Sequence, residues 1–157
     1  MFEAFYKSPI GFLRIVSNEK YIIKIEFSDK YYKMRMIPVQ IQTCIQQLDE
    51  YFHGQRQNFT ISTNPAGSAF QSQIWNLLLK IPYGKTISYL DLAREYGDEK
   101  AIRAIASACG KNPIPIIIPC HRVIGNDGSL TGYAGGLLKK QWLLEHEGAI
   151  QQKSLFW

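Results

Sequence analysis

The chain has 157 residues, of which 46% are hydrophobic, 20% charged and 13% aromatic, enough apolar surface for a real core and too much for wholesale disorder. Its net charge of +5 is spread along the chain, with nine Lys/Arg against six Asp/Glu in residues 1–80 and nine against seven in residues 81–157; there is no basic tail, so any polyanion must meet a face that folding assembles. Three cysteines, Cys44, Cys109 and Cys120, with no pair at CxxC spacing, argue against a disulfide framework or a cysteine-rich zinc site, and the lack of an apolar leader or a run of about 18 apolar residues argues against a membrane span and for a reducing cytoplasmic setting.

Residues 1–62 read as a β-rich N-terminal domain. "FEAFYKSPIGFLRIVSNEKYIIKIEFSD" alternates apolar and polar positions and is broken at Ser8-Pro9 and Ser17-Asn18, the pattern of two or three antiparallel strands. "VQIQTCIQQLDEYFHG" then places Ile41, Ile45, Leu48 and Phe52 at helical spacing and ends at Gly54. Cys44 lies inside this helix and reads as a structural thiol. The turn-rich "ISTNPAGSAF" marks a boundary.

Residues 63–157 read as mostly helical. "SAFQSQIWNLLLKI" puts Phe70, Ile74, Leu77 and Leu78 on one face before Ile81-Pro82-Tyr83-Gly84 stops it. In "TISYLDLAREYG", Ser88 followed by Asp91 is a capping-box-like start for a helix from Tyr89 to Tyr96, with Gly97 breaking it. "DEKAIRAIASACG" begins at Asp98 as N-cap and ends at Gly110. Two short helices joined by a glycine-containing turn read as a helix-turn-helix. In the second of them Ile102, Ile105 and Cys109 suit a core. Ala101, Ala104 and Ala108 form a small-residue face with Arg103 at its edge, fit either for tight packing inside the protein or for close approach to a nucleic-acid groove. Asn112-Pro113 and Pro115 make a rigid, non-helical entry to Ile116, Ile117 and Ile118, a β-branched run expected to be a buried strand or extended segment. A glycine-rich loop holding Tyr133 and a final helix ended by Gly148 complete the chain. The fold class is α+β: an antiparallel sheet plus helix, then a helical domain.

The chemistry gathers at "IPCHRVIG", where a rigid apolar segment delivers Cys120, His121 and Arg122. A thiol is a few per cent ionised at neutral pH and gains nucleophilicity from a neighbouring base or positive charge. Adjacent side chains project in different directions, so a bridging water between Cys120 and His121 is reasonable. A carboxylate would orient the imidazole, and Glu145 and Glu147 are both candidates on these grounds. Taken alone, the three residues fit equally a buried structural thiol beside two surface side chains.

The same motif resembles the active site of the O6-alkylguanine-DNA alkyltransferases, also called methylated-DNA–protein-cysteine methyltransferases. "FQSQIWNLLLKIPYGKTISYLDLA", "AIRAIASACGKNPIPIIIPCHRVI" and "GYAGGLLKKQWLLEHEG" are similar to segments of that family in the same order, over residues 70–148. The β-rich first 60 residues fit the family's variable N-terminal part more loosely. The resemblance implies repair of double-stranded DNA containing O6-alkylguanine by direct reversal: the base is flipped out through the minor groove and its alkyl group passes irreversibly to a cysteine, once per molecule.

By position the resemblance implies Cys120 as acceptor, His121 acting through water as base, and Glu147 rather than Glu145 as its partner. Tyr89 would donate a proton at guanine N3 and help rotate the nucleotide. Arg103 would fill the gap in the base stack, with Ala101, Ala104 and Ala108 against the minor groove. Asn112 would be a hinge, and Val123, Tyr133, Ala134 and Pro115 would shape the substrate pocket. Ala134 stands where some relatives have serine, leaving backbone N–H groups to serve O6, and Pro115 is associated with tolerance of benzyl adducts. Arg122 reads as a structural clamp. No cofactor is implied. Residues 1–40 contain neither Cys nor His, so the structural zinc of some relatives is not expected. A monomer is expected. The competing readings are a non-catalytic binder that flags alkylated DNA, whose known examples lack the acceptor cysteine, and a cysteine hydrolase, which would leave the helix-turn-helix without a task.

Overall fold

In the computed structural model, which describes residues 1–151, contacts divide the chain into two units. The first is Met1–Ser68 with Asn112–Ile117, and the second is Ala69–Lys111 with the chain from Ile118 onward. The first unit therefore runs past residue 62, where the sequence pattern ended it, and takes in a later segment.

In the first unit, β1 (Phe2–Ser8), β2 (Gly11–Ser17) and β3 (Ile22–Ser28) form an antiparallel meander in the order β1-β2-β3. Ala4 pairs with Ile15 and Ile15 with Ile25, so these buried side chains share one face. Helix α1 (Val39–Phe52) covers that face with Ile41, Cys44, Leu48 and Tyr51. Tyr6, on the same face, stacks on Phe52 and donates to Asp49 at 2.9 Å. The opposite face carries an ion cluster in which Arg14 bridges Glu3 and Glu26. Ile45, expected in the core, lies at the margin of α1.

Residues 112–117 join this unit through Ile25 N–H, which donates to the Pro113 carbonyl at 2.9 Å. The isoleucine run is not a strand. Ile116 has φ +75° within a turn, and Ile114, Ile116 and Ile117 are all buried. The chain bends at Pro113 and Ile114 and then turns at Ile116 and Ile117. A β-branched residue in the left-handed region costs roughly 1–3 kcal/mol, an amount the burial of a side chain of this size offsets.

The second unit is built from α2 (Ala69–Leu78), α3 (Tyr89–Tyr96), α4 (Ile102–Gly110) and α5 (Leu137–His146), with a parallel pair of two-residue strands, β4 (Ile87–Ser88) and β5 (Val123–Ile124). Trp75 of α2 is buried and donates through Nε1 to the Ala108 carbonyl of α4 at 2.9 Å. Ser88 caps α3 by accepting from Asp91 N–H at 3.0 Å, and Gly97 ends it at φ +103°. Asp98 accepts from Lys100 N–H and opens a 3₁₀ turn, Glu99–Ala101, that leads into α4. No helix among the described residues is long and apolar enough to cross a membrane.

Candidate active site

Cys120, His121 and Arg122 form a single 3₁₀ turn between Pro119 and β5. Cys120 N–H donates to the Ile118 carbonyl at 2.8 Å and Arg122 N–H to the Pro119 carbonyl at 3.0 Å. All three side chains are buried.

His121 is fully buried, and its Nε2 lies 2.7 Å from Oε2 of Glu147, the C-cap residue of α5. Arg122 meets the same carboxylate from Nε (2.8 Å) and Nη2 (3.0 Å), and its Nη1 donates to the Ile81 carbonyl at 2.7 Å. Glu145, the other carboxylate left open by the sequence, accepts from Gln141 at 2.8 Å. Burial alone would raise the Glu147 carboxyl, but the hydrogen bonds from His121 and Arg122 outweigh it and hold the group well below the usual carboxylate range. Burial also keeps the His121 imidazole below its usual range, against the pull of Glu147.

The hydrogen bonds at the carboxylate indicate the tautomer, since Arg122 donates to both Glu147 oxygens and His121 Nε2 lies on Oε2. An ionised Glu147 accepts only, so Nε2 carries the proton, and a neutral ring then presents Nδ1 as a lone pair. Nδ1 is buried and has no hydrogen-bond partner among the described residues. The turn therefore holds a thiol beside an imidazole whose unprotonated nitrogen is available as a base.

Gly84 makes this carboxylate approach possible. Its N–H donates to Glu147 Oε1 at 3.3 Å, its φ is +78°, and a Cβ there would stand 3.0 Å from the Glu147 carbonyl oxygen. Tyr83 lies under the Arg122 guanidinium, 5.8 Å from ring centroid to Cζ.

Tyr89, at the start of α3, donates its hydroxyl to the Thr131 carbonyl at 3.3 Å. Burial first, and the nearby Cys109 and Cys120 thiols next, push its phenol up, so it stays a proton donor. The loop that follows β5 is tied to α3 a second time, Asn126 Oδ1 accepting from Leu90 N–H at 3.1 Å. Val123 is fully buried; Tyr133 is half-buried with its hydroxyl enclosed, and Ala134 is exposed. Lys140 of α5, absent from the sequence-derived set, is fully buried among three carbonyls at this loop.

On α4, Arg103 and Ala104 are exposed and Ala101 partly so, but Ala108 is 2% exposed and packs inward beside Ile105 and Cys109. The small-residue face expected from the spacing therefore does not include Ala108 on the surface: positions four apart on a helix differ by about 40°, and Ala108 falls on the buried side with Ile105 and Cys109 while Ala104 falls on the exposed side. Ser107, one turn after Ala104, is exposed instead. Asn112 and Pro115 belong to the first unit, where Asn112 Oδ1 accepts from Ile114 N–H at 3.0 Å. A cleft of about 500 Å³ in the second unit, lined by Leu77, Lys80, Ile81, Pro82, Lys85 and Glu95, includes neither Cys120 nor His121.

Residues 69–149 match the family model described as 6-O-methylguanine DNA methyltransferase, DNA binding domain, and residues 1–65 match 6-O-methylguanine DNA methyltransferase, ribonuclease-like domain. A methylated-DNA–protein-cysteine methyltransferase of Methanosarcina acetivorans is 40% identical over 158 residues, covering 95% of this chain and 99% of its own. The crystal structure of Mycobacterium tuberculosis O6-methylguanine methyltransferase superposes with a TM-score of 0.84 at 37% identity, covering 98% of this chain and 96% of that one. The Mycobacterium tuberculosis OGT in complex with DNA gives 0.85 at 38% identity, covering 94% and 92%.

Proposed function

The chain belongs to the 6-O-methylguanine DNA methyltransferase family, and on that premise we propose that it repairs O6-alkylguanine in duplex DNA, as a monomer, by one irreversible alkyl transfer to Cys120. The observation that carries this reading is the His121–Glu147 pair at 2.7 Å, which leaves a buried imidazole nitrogen as the base of the cysteine turn.

The transfer is a displacement at the alkyl carbon. Through a bridging water, His121 Nδ1 takes the thiol proton, and Glu147 stabilises the imidazolium that forms. The Cys120 sulfur then forms a bond to the alkyl carbon while the carbon–O6 bond breaks and its electron pair passes to the guanine. Tyr89, held protonated by burial, donates to guanine N3 as the base departs. The products are guanine and an S-alkyl cysteine. A thioether has no route back to the thiol in this site, so each molecule acts once.

DNA meets the helix pair α3–α4, a helix-turn-helix used here on the minor groove. Arg103, exposed on α4, enters the stack where the flipped nucleotide was, and Ala101, Ala104 and Ser107 allow close approach to the backbone. Flipping costs a few kcal/mol and least at a damaged pair. Asn112 acts as a hinge. Val123, Tyr133 and Ala134 shape the pocket, with backbone N–H groups reading O6, and Pro115 bears on tolerance of larger alkyl groups.

Incubation with duplex DNA containing O6-methylguanine, followed by intact mass and peptide mapping, tests this. One methyl group on Cys120 and restored guanine are expected. DNA binding without any mass change would identify a lesion-flagging binder instead.

A further inference from the structure

Lys140 has no part in the chemistry above, yet it is fully buried. Its Nζ lies 2.6 Å from the Val123 carbonyl, 2.8 Å from that of Thr131 and 3.3 Å from that of Gly132. Among the described residues no carboxylate pairs with it. A buried ammonium without a counter-ion is costly. Three carbonyl acceptors require three N–H donors, which only the charged form has.

The three carbonyls belong to separate pieces of the site. Val123 opens β5, three residues after Cys120, while Thr131 and Gly132 lead into Tyr133 and Ala134. The Thr131 carbonyl also accepts from the Tyr89 hydroxyl, and Lys140 Nζ stands 5.9 Å from the Tyr89 ring centroid. One side chain thus joins α5, β5, the loop and, through a shared acceptor, α3. The loop spans residues 125–136 and holds glycines at 125, 128, 132, 135 and 136, a composition with a high entropic cost of ordering. The tie from Asn126 to Leu90 lies at the far end of the loop from Tyr133.

We propose that Lys140 is a positioning residue for alkyl transfer, its ammonium clamping the glycine-rich loop to β5 and to the Tyr89 contact so that the pocket is formed before a base enters. Its charge has a second effect, on the acceptor thiol. Cys120 is faced by Lys140 from α5, Tyr89 from α3, Cys109 from α4 and Tyr133 from the loop, with His121 beside it in the turn. Burial pushes Tyr89, Cys109 and Tyr133 toward their neutral forms and keeps His121 neutral. Burial also pulls the Lys140 ammonium down, and against it stand the three carbonyl acceptors, which only the charged form satisfies. Lys140 therefore supplies positive charge where these four groups supply none, and that charge favours the thiolate.

The proposal deepens the alkyl-transfer reading and rests on it for one of three readouts, made on the full chain with Lys140→Met and Lys140→Arg. In Lys140→Met, hydrogen exchange of the amides at residues 126–134 is expected to rise at least ~10-fold. The pH midpoint for reaction of Cys120 with iodoacetamide is expected to move up by roughly one unit. The saturating single-turnover rate of methyl transfer from duplex DNA is expected to fall at least ~10-fold, with the half-saturating DNA concentration changed less than ~3-fold. Lys140→Arg keeps the charge but cannot converge on three carbonyls, so it should keep the thiol midpoint and lose loop protection. A Lys140→Met protein that melts cooperatively with wild-type loop exchange and an unmoved midpoint overturns the proposal, as does a loss confined to the half-saturating concentration. If Lys140→Met does not melt cooperatively, Lys140→Arg decides: wild-type loop protection with a raised midpoint overturns the proposal. If the wild type itself transfers nothing, the alkyl-transfer reading fails, while loop exchange and the thiol midpoint still decide the role of Lys140.

Discussion

Arg122 and Glu147, 25 residues apart in sequence, meet through two hydrogen bonds at 2.8 and 3.0 Å, and the second of them shares Oε2 with His121. The guanidinium therefore sets the carboxylate's plane, and the carboxylate sets the imidazole's tautomer. Arg122 also reaches the Ile81 carbonyl at 2.7 Å, which anchors the assembly to the segment that follows α2.

Glu147→Gln should separate these roles from simple burial. The amide brings two N–H donors to a place that already receives N–H groups from His121 and Arg122, so one donor is left without an acceptor or the ring turns over. A turned ring carries its proton on Nδ1 and loses the base. We expect a stability loss of about 3–5 kcal/mol, typical for breaking a buried pair, and a fall in transfer rate of about 100-fold or more. Thermal melting and single-turnover kinetics check both; wild-type values of each would remove Glu147 from the account.

Acid stability follows from the same groups. Glu147 sits below its ordinary value in the folded state, so its contribution is present above about pH 4.5 and is lost as pH falls below that. His121 is also held below its usual value near 6.5. From there downward the unfolded chain takes up a proton that the folded chain refuses, and stability falls further. Denaturant melts should show stability declining from about pH 6.5, then more steeply below about pH 4.5. A flat profile between pH 7 and 4 would contradict the buried, neutral imidazole.

Gly84→Ala tests the close approach at φ +78°, where a Cβ would lie 3.0 Å from the Glu147 carbonyl oxygen. The left-handed conformation costs an alanine about 1–2 kcal/mol, and the contact forces α5's end to shift. Melting temperature should fall and transfer should slow together. An unchanged melting temperature would show that this turn relaxes without strain.

Arg103→Ala addresses the DNA face. Repair of duplex substrate should slow by about 10-fold, a barrier rise of about 1.4 kcal/mol, while reaction with the free base O6-benzylguanine should change little. Equal losses on both substrates would place Arg103 in the pocket and out of the stack.

Much of this was legible in residue types whose meaning is local. Ser88, Gly97 and Asp98 mark helix ends because capping and left-handed φ depend on near neighbours. The alternation in residues 2–28 sets a sheet with one covered face. The rest depends on contacts distant in sequence. Nothing local reveals that Ile116 turns at positive φ, because its strain is offset by burial within the first unit. The Lys139-Lys140 pair looks like a solvated helix surface. Its one signal is helical phase, since Lys140 shares a face with buried Leu143, Leu144 and Glu147. Ala108 lies at the edge between the two faces of α4, and spacing alone does not say on which side of that edge a small residue falls.

The most direct test of the central claim is a titration of the protein against excess duplex DNA containing O6-methylguanine, read by intact mass and by mapping the methylated peptide. The account predicts that transfer stops at one methyl group per molecule, carried by Cys120, and that Cys120→Ser binds the same DNA and transfers nothing. Turnover beyond one equivalent, or methyl carried on Cys44 or Cys109, would contradict it.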